Sequence, residues 1–327
     1  MIEIRAVCIR TRMITKDDVA TALERIRPHV HRTPVLTSLR LGDRAGGLHL
    51  GFKCESFQRT GSFKARGALN AMMQLSPAER RKGVVTMSAG NHAQALAWAA
   101  SVVGADCLTC MPEGASQSKI AATQGYGGKV EVVPGGMQRA FDRANDIAAQ
   151  GRVMIHPFDD ERVAAGQGTV ALELLEQIPQ LDTVIAPIGG GGLISGMSVA
   201  LKSLKPDIRI FGVEPEGAAT MRKSLDAGAV QRITPNSVAD GLNAPLVCPM
   251  TLDVVRTQVD DVVIVTDDDI LAAMRDLLAY AKLLVEPAGA AALAALLARK
   301  IRVENGSHTA VIITGGNVDV QRLKQLL

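Results

Sequence analysis

The spacing of apolar residues along the chain changes at Gly83. Before it, residues 16–26 follow the capping sequence Thr15-Lys16-Asp17-Asp18 with apolar side chains at helical spacing, and residues 64–73 have the same spacing. From Gly83 onward, short apolar segments of strand length alternate with longer segments of helical spacing. Such alternation is typical of parallel sheets in an α/β protein.

The alternation predicts strands at 84–87, 105–111, 129–133, 152–156, 183–188, 208–213 and 309–313. It predicts helices at 93–103, 116–125, 137–149, 168–178, 193–202, 267–281 and 287–299. The chain of 327 residues has room for two domains, and no linker or repeat separates them. We therefore expect an interleaved pair, with a large domain at 1–82 and 160–327 and a small domain at 83–159.

Composition limits the possible functions. The chain is 47% apolar and 21% charged, which is typical of a globular protein. Its net charge of +3 comes from interspersed acids and bases, so no nucleic-acid-binding or membrane-binding surface is indicated. No apolar run reaches membrane-spanning length, and residues 1–13 lack the apolar core of a signal peptide. We expect a cytoplasmic protein.

The five cysteines are odd in number and scattered, which fits a reducing compartment. Cys107 and Cys110 have the spacing of a redox or zinc pair, but both fall in the predicted strand 105–111. Residues three apart on a strand point to opposite faces, so the two sulfurs would not converge on a metal ion. We expect both to be buried structural thiols.

Lys64 is the first candidate for chemistry. It opens an apolar helical segment, next to Phe63 and after the turn-forming Thr60-Gly61. A lysine near a buried face can lose its proton and act as an amine nucleophile. Most lysines in such positions instead extend the ammonium group to water. The choice depends on whether the chain supplies a ligand for this lysine to hold.

Three unusual loops follow predicted strands, where ligands bind in open α/β sheets. The first, Gly189-Gly190-Gly191-Gly192-Leu193, can surround an anion with backbone amides at a helix N-terminus, which indicates a phosphate site. A dinucleotide site is the nearest rival, because a Gly-x-Gly-x-x-Ser sequence starts at Gly190 and Glu214 ends the next strand. That rival leaves Lys64 and the other two loops unexplained.

The second loop, Ser88-Ala89-Gly90-Asn91-His92, offers a hydroxyl, an amide and backbone N–H groups to a carboxylate or phenolic oxygen. Taken alone, this loop favours an N-capping turn, and His92 alone favours a structural histidine. The third loop, Thr314-Gly315-Gly316-Asn317, would alone be an ordinary tight turn.

Together these segments resemble the fold-type II pyridoxal-phosphate enzymes, in particular the group of threonine/serine dehydratases and serine racemases. The matching motifs are Gly61-Ser62-Phe63-Lys64-Ala65-Arg66-Gly67-Ala68, Ser88-Ala89-Gly90-Asn91-His92-Ala93-Gln94, Ala165-Gly166-Gln167-Gly168-Thr169, Gly189 to Leu193, Gly212-Val213-Glu214, Ala239-Asp240-Gly241, Val285-Glu286-Pro287-Ala288-Gly289-Ala290 and Thr314-Gly315-Gly316-Asn317. The resemblance implies an α/β fold with two open, mostly parallel sheets flanked by helices, like that of the tryptophan synthase β-chain. It also implies pyridoxal 5'-phosphate as cofactor, a small-molecule amino acid as substrate, and a homodimer or homotetramer.

The resemblance assigns roles residue by residue. Lys64 would carry the cofactor and move the α-proton of the substrate. Asn91, with Gly241 nearby, would bind the ring hydroxyl of the cofactor. Phe63 would pack against the ring, and Thr314 would face the pyridine nitrogen. The cofactor phosphate would bind at Gly189, Gly190, Gly191, Gly192 and Leu193. The substrate carboxylate would bind at Ser88, Ala89, Gly90, Asn91 and His92.

The residue opposite the pyridine nitrogen bears on the reaction. A hydroxyl at Thr314 can donate to an unprotonated nitrogen, whereas an aspartate would keep that nitrogen protonated and strengthen the electron sink. A weaker sink suits prompt loss of a β-substituent as the α-proton leaves. The implied reaction is elimination from L-threonine and L-serine, which gives 2-oxobutanoate or pyruvate plus ammonia.

Two positions depart from the racemases of this group. Those enzymes resemble Ser-Ser-Gly-Asn-His, in which the second serine is the acid/base opposite the lysine, and this chain has Ala89 there. They also carry asparagine where Phe158 follows His156-Pro157. Both departures favour a dehydratase. A serine racemase, or a dehydratase of another 3-hydroxy amino acid, is the alternative, and an NAD-binding oxidoreductase rests on the glycine loop alone.

The divalent-cation site of the group would map to Glu214, Ala218 and Thr220. Thr220 replaces an acid, and hard cations prefer charged oxygen ligands, so this site is doubtful and we expect no metal. The sequence stops 10 residues after Asn317, so we also expect no regulatory amino-acid-binding domain and no feedback control through one.

Overall fold

The computed structural model describes residues 13–327, so the expectation about a signal peptide falls almost entirely outside the described residues. The strands are β1 Val35–Thr37, β2 His49–Cys54, β3 Val84–Met87, β4 Cys107–Pro112, β5 Lys129–Val133, β6 Val153–Met154, β7 Thr183–Pro187, β8 Arg209–Pro215, β9 Asp261–Val265 and β10 His308–Ile313. The helices are α1 Lys16–Ile26, α2 Leu39–Arg44, α3 Lys64–Met73, α4 Pro77–Lys82, α5 Asn91–Val103, α6 Gln117–Gly125, α7 Gly136–Ala149, α8 Glu161–Gln177, α9 Gly192–Leu204, α10 Thr220–Ala227, α11 Pro249–Gln258, α12 Asp267–Asp276, α13 Pro287–Leu297 and α14 Val320–Leu326.

Within residues 13–327, the strands form two sheets. The larger has six strands in the order β1-β2-β10-β7-β8-β9, and the smaller has four in the order β5-β4-β3-β6. Neighbouring strands run parallel throughout, except that β1 pairs antiparallel with β2 at one edge. The prediction of an α/β fold with two mostly parallel sheets is confirmed.

The smaller sheet is built from one continuous stretch of chain, since all four strands lie between Val84 and Met154. We propose that it forms the core of a small domain at 83–159, and that 1–82 and 160–327 form the large domain. Their apolar cores meet where α3 packs on α5, because Leu69 and Met72 share one buried cluster with Leu96.

Helix α8 begins earlier than the predicted residue 168. Asp160 caps it, and its carboxylate accepts hydrogen bonds from the backbone amides of Arg162 and Val163. Gly166 and Gly168 resemble helix breakers in the sequence, yet both lie inside the helix. They are there for packing, because neighbouring helices approach α8 too closely for a side chain.

That close packing positions the two helices on which the site depends. A Cβ on Gly166 would lie 2.6 Å from the Cα of Gly67 in α3, and a Cβ on Gly168 would lie 2.6 Å from the carbonyl oxygen of Gly196 in α9. Helix α3 starts at Lys64, and α9 starts within the four-glycine loop. Helix α8 therefore fixes the separation between the lysine and the glycine loop.

The sequence predicted neither β9 nor the helices α10 and α11, and other differences are local. Helix α12 ends at Asp276, and a π-helical turn, Leu277–Ala281, completes the predicted segment. Cys107 packs in the cluster that contains α5, whereas Cys110 packs in the cluster that contains α7, which confirms buried thiols on opposite faces of β4. Burial raises the thiol pKa of Cys107 to about 12 and that of Cys110 to about 11. In the described part of the chain, none of the helices combines the length and the apolarity that crossing a bilayer requires.

Candidate active site

The candidate site is a cavity of about 320 Å³ at the carboxyl ends of β3, β7 and β10. Three loops from distant parts of the sequence meet there because the carboxyl ends of the parallel strands face it. The lining contains every residue to which the sequence assigned a role in cofactor or substrate binding, namely Phe63, Lys64, Ser88, Ala89, Gly90, Asn91, His92, Gly189, Gly190, Gly191, Gly192, Leu193, Gly241 and Thr314.

Lys64 lies at the first position of α3 and points its amine into a site without a carboxylate partner. Its Nζ donates a hydrogen bond to the backbone carbonyl of Pro157 at 2.9 Å and lies 5.2 Å from the centre of the Phe63 ring. Among residues 13–327, no acidic side chain forms an ion pair with it. Burial lowers the pKa of Lys64 to about 8, so a large share of the amine is unprotonated near neutral pH.

Thr314 is held against the segment that precedes Lys64. The backbone amide of Phe63 donates to the carbonyl of Thr314 at 3.1 Å, and Ser62 pairs with Gly315 in an antiparallel bridge. The hydroxyl oxygen of Thr314 is buried and has no hydrogen-bond partner within the described residues. A buried hydroxyl without a partner is costly, so this atom indicates a missing ligand atom. A pyridine nitrogen would satisfy it.

The four-glycine loop has no room for side chains. A Cβ on Gly190 would lie 2.3 Å from the ring of Phe158, and a Cβ on Gly192 would lie 3.1 Å from the Cβ of Phe158. Gly191 has a φ of +90°, which favours glycine. The bare backbone opens onto the cavity at the N-terminus of α9, where amides and the helix dipole attract an anion. The loop therefore fits a phosphate group.

Asn91 begins α5 and its amide is fully oriented by neighbours. Its Nδ2 donates to Oε1 of Glu286 at 2.7 Å, and its Oδ1 accepts from Nδ2 of Asn317 at 2.8 Å.

Two other side chains of this loop, those of Ser88 and His92, are less available for proton transfer. The hydroxyl of Ser88 accepts from the amide of Gly90 at 3.2 Å, and burial, together with the charge of Lys64, lowers the pKa of His92 to about 3.

Glu286 is the main site residue to which the sequence had assigned no role. It lines the cavity, is 4% exposed, and burial raises its carboxyl pKa to about 8. Lys119 and Asp240 also line the cavity, and they form an ion pair between α6 and the segment after Ala239. Glu286 and Asp240 both lie in motifs that carried the resemblance, so the motifs themselves were the available signal.

Glu214 lies outside the cavity lining. Its Oε1 accepts from the amide of Met221 at 2.7 Å and its Oε2 accepts from the amide of Arg222 at 2.8 Å, so it serves the N-terminus of α10. The hydroxyl of Thr220 donates to the carbonyl of Ala244. These contacts leave Glu214 unable to act as the ribose-binding acid of a dinucleotide site. Within residues 13–327, no cluster of three or more His, Cys, Asp or Glu could hold a metal ion.

Within the described residues, a partly buried lysine at a helix N-terminus, a bare glycine loop for an anion and an unpartnered threonine hydroxyl define an enzyme class that holds a phosphate-bearing cofactor on a lysine. The family model described as "Pyridoxal-phosphate dependent enzyme" matches residues 26–315, and the chain belongs to this family. Pyridoxal phosphate is therefore the cofactor, and the rival dinucleotide site is excluded.

Relatives with several different named activities match nearly the whole chain, and they include an L-threo-3-hydroxyaspartate ammonia-lyase of Saccharomyces cerevisiae that is 41% identical and covers 96% of each. Serine racemase of Arabidopsis thaliana is 43% identical over 311 residues, which cover 93% of this chain and 93% of the relative. The catabolic L-threonine dehydratase TdcB of Escherichia coli K12 is 40% identical over 313 residues, which cover 95% of each. The solved structure of maize serine racemase superposes with a TM-score of 0.92 at 41% identity, covering 96% of this chain and 97% of that one.

Proposed function

We propose that this protein is an ammonia-lyase that converts L-threonine and L-serine to 2-oxobutanoate or pyruvate plus ammonia. The observation that carries the proposal is Ala89. This residue lines the cavity with a methyl group, which can neither give nor take a proton. Elimination needs proton transfer on the lysine face only, whereas racemisation needs a second proton-transfer group on the opposite face.

The chain's residues would hold the cofactor by its polar groups. The backbone of the loop from Gly189 to Leu193 would bind its phosphate, and the hydroxyl of Thr314 would donate to its ring nitrogen. Asn91 would bind its ring hydroxyl, and Phe63 would pack against its ring. When bound, the cofactor supplies an electron sink that acidifies the α-C–H bond of an amino acid.

Lys64 would carry the cofactor and act as the base for the α-proton. Its lowered pKa of about 8 supports this role, because a base is most effective when its pKa lies near the working pH. The hydrogen bond to the carbonyl of Pro157 holds Nζ at a defined point beside the cavity. The amine is partly buried and has no carboxylate partner among the described residues. Its unprotonated form is therefore populated near neutral pH, unlike that of a surface lysine.

The rest of the lining supports a small, uncharged substrate side chain. Met87, Met137 and Phe158 contribute apolar surface, and the cation Lys119 is already paired with Asp240. A methyl group can be buried against such a surface, whereas a second carboxylate would be left without a cation and would cost free energy. We therefore place threonine and serine ahead of 3-hydroxyaspartate as substrates.

A serine racemase is the second candidate. It is favoured by the 43% identity to the Arabidopsis serine racemase and by the likeness to the maize structure. In that case another group of the lining would have to supply the second proton. Ser88 is the nearest hydroxyl in sequence to Ala89, but its oxygen already accepts a hydrogen bond from Gly90.

Incubation of the cofactor-loaded protein with single amino acids tests the proposal. L-Threonine and L-serine should release 2-oxobutanoate and pyruvate with equimolar ammonia, and L-threo-3-hydroxyaspartate should react more slowly. The release is followed by reduction of the 2-oxo acids with a coupled dehydrogenase. Faster turnover of 3-hydroxyaspartate, or no 2-oxo acid from any of the three, would overturn the substrate assignment.

A further inference from the structure

The third loop contains a residue, Asn317, whose contacts converge on Asn91. The amide Nδ2 of Asn317 donates to the backbone carbonyl of Thr60 at 2.7 Å and to Oδ1 of Asn91 at 2.8 Å. An amide nitrogen has two hydrogens, so both donors of Asn317 are committed. Asn317 therefore joins the segment before Lys64 to the N-terminus of α5.

These contacts determine which way the amide of Asn91 faces. The carbonyl of Thr60 can only accept, so the atom of Asn317 that faces it has to be nitrogen. The same nitrogen faces Asn91, so the atom of Asn91 at that contact has to be its oxygen. The nitrogen of Asn91 is then directed to Oε1 of Glu286, 2.7 Å away. A backbone carbonyl thus fixes the orientation of two amides in series.

We infer that Asn317 is a positioning residue that makes Asn91 present an N–H group, and not its oxygen, to the cofactor. After donating to Glu286, the nitrogen of Asn91 keeps one further hydrogen, and Asn91 lines the cavity. A reversed amide would present an acceptor in its place. The inference rests on the proposed function, in which Asn91 binds the ring hydroxyl.

The backbone around Asn317 is shaped to receive it. Thr60 has a φ of +62°, which is uncommon for a residue other than glycine, and its carbonyl is the fixed acceptor. A Cβ on Gly61 would lie 2.3 Å from Oδ1 of Asn317, so only glycine leaves room for that amide. The amide of Gly316 also donates to the carbonyl of Gly61 at 3.0 Å. The backbone of Thr60 and Gly61 is therefore shaped to accommodate the Asn317 side chain.

The test is the substitution Asn317→Asp, which keeps the shape and removes both donors. A carboxylate cannot donate to Thr60, and it can bond Asn91 only if the Asn91 amide reverses. We expect the dissociation constant of pyridoxal phosphate, measured by titrating the apoprotein and following the visible absorbance, to rise about tenfold. Asn145→Asp, at an exposed position of α7, makes the same change in charge and should stay within about twofold of the wild type.

A second variant separates positioning from structure. The double variant Asn317→Asp with Glu286→Gln is measured at pH 9, above the Glu286 pKa of about 8. There the glutamine can donate to a reversed Asn91 whereas the ionised Glu286 cannot, so the melting temperature of the apoprotein should recover relative to Asn317→Asp alone. The cofactor dissociation constant should stay raised, because the amide still presents the wrong group. Recovery of both quantities together would mean that Asn317 is only structural and would overturn the inference. If Asn317→Asp does not fold, Asn317→Ala removes the donors without adding charge. This variant should also raise the dissociation constant of pyridoxal phosphate about tenfold.

Asn91→Ala distinguishes failure of this inference from failure of the proposed function. If Asn91→Ala leaves cofactor binding unchanged, Asn91 does not bind the cofactor and the proposed site is wrong. If Asn91→Ala weakens binding while Asn317→Asp stays within twofold of the wild type, the site stands and the positioning role of Asn317 is overturned.

Discussion

Lys64 and Arg66 are two residues apart on α3, yet their side chains lie in opposite kinds of polar environment. Within residues 13–327, the amine of Lys64 has one hydrogen bond, to the carbonyl of Pro157, and faces a cavity in which the buried hydroxyl of Thr314 has no partner. Arg66 is fully buried, and its guanidinium donates to Glu55 through Nε and Nη2, at 2.8 and 2.9 Å.

The polar cluster around Arg66 is closed. Arg66 also donates to Glu173, at 2.7 Å and 2.8 Å, and Lys53 donates to the same carboxylate at 2.6 Å. Thr33 donates to Glu55 at 2.6 Å. Burial alone would raise the pKa of Glu55, but the Arg66 guanidinium outweighs burial and holds that pKa below its usual range. Two cations and two carboxylates therefore balance each other in a buried cluster.

The comparison teaches how to tell polar groups that hold the fold from polar groups that await a ligand. Buried polar atoms are normally satisfied, so a satisfied cluster needs no function beyond structure. When buried polar atoms that line a cavity have no hydrogen-bond partner in the protein, a ligand is expected to supply that partner. By this criterion the cluster anchors α3, and the cavity that Lys64 faces is the place we propose for the cofactor.

The largest expected effect is that of Lys64→Ala. Lyase activity should fall by roughly 10³-fold or more, because both the attachment point and the base are lost. The apoprotein should fold at least as well as the wild type, because desolvation disfavours the charged amine of Lys64 and no acidic side chain of the described residues pairs with it. Borohydride reduction of the wild type followed by peptide mapping should find the cofactor on Lys64. Its recovery on another lysine would refute the assignment.

Arg66→Met should give the largest loss of stability. Removing the guanidinium leaves the buried Glu55 without its paired cation and Glu173 with Lys53 alone, so the free energy of unfolding should fall by about 3–5 kcal/mol. The measurement is urea unfolding of the apoprotein, with Arg322→Met on the exposed face of α14 as a control that should change little. A loss below about 1 kcal/mol would show that the cluster does not anchor α3.

A matched pair of substitutions should change stability in opposite directions. Thr33→Val removes a donor to Glu55 and should destabilise the apoprotein by about 1–2 kcal/mol. Thr314→Val removes an unpartnered hydroxyl and should stabilise the apoprotein by up to about 1 kcal/mol, while weakening cofactor binding. Thermal unfolding of both variants, with and without cofactor, checks the signs. Equal effects in the apoprotein would erase the distinction between the two regions.

The smallest effect concerns the pH dependence of apoprotein stability. The pKa of Lys64 falls from about 10.4 in an unfolded chain to about 8 in the fold, so above pH 8 the unfolded state binds more protons. Stability should rise by about 1 kcal/mol between pH 8 and 9 in the wild type relative to Lys64→Met. If the two proteins show the same pH dependence, Lys64 is not desolvated as described.

Glu55 in the cluster titrates in the same sense, with stability rising as the pH rises, but in an acidic window. The folded pKa of Glu55 is depressed, so its contribution is fully present above the unfolded value of about 4.3 and is lost as the pH falls through the lower folded value. Glu55→Gln should therefore reduce the acid sensitivity of unfolding and leave the alkaline side unchanged. Unfolding curves of this variant and the wild type from pH 3 to pH 6 test the sign.

Much of the fold and the cavity was predictable from local patterns. Strand and helix periods gave the order of elements, and loops such as Ser88–His92 and Gly189–Leu193 follow strands whose carboxyl ends meet. What was missed depends on distant partners. Arg66 and Glu173 are 107 residues apart and Asn91 and Glu286 are 195 apart, and no periodicity encodes such pairs. The early start of α8 was missed because packing against neighbouring helices, and not local propensity, places its glycines.

The most direct test of the central claim uses position 89. L-Serine is incubated with the wild type and with Ala89→Ser, both loaded with cofactor. Pyruvate release and D-serine formation are measured in the same reaction, the latter by chiral chromatography. The wild type should release pyruvate with negligible D-serine, because Ala89 offers no proton opposite Lys64. Ala89→Ser should gain measurable D-serine formation. Substantial D-serine from the wild type would contradict the account, since another residue of the cavity would then supply the second proton.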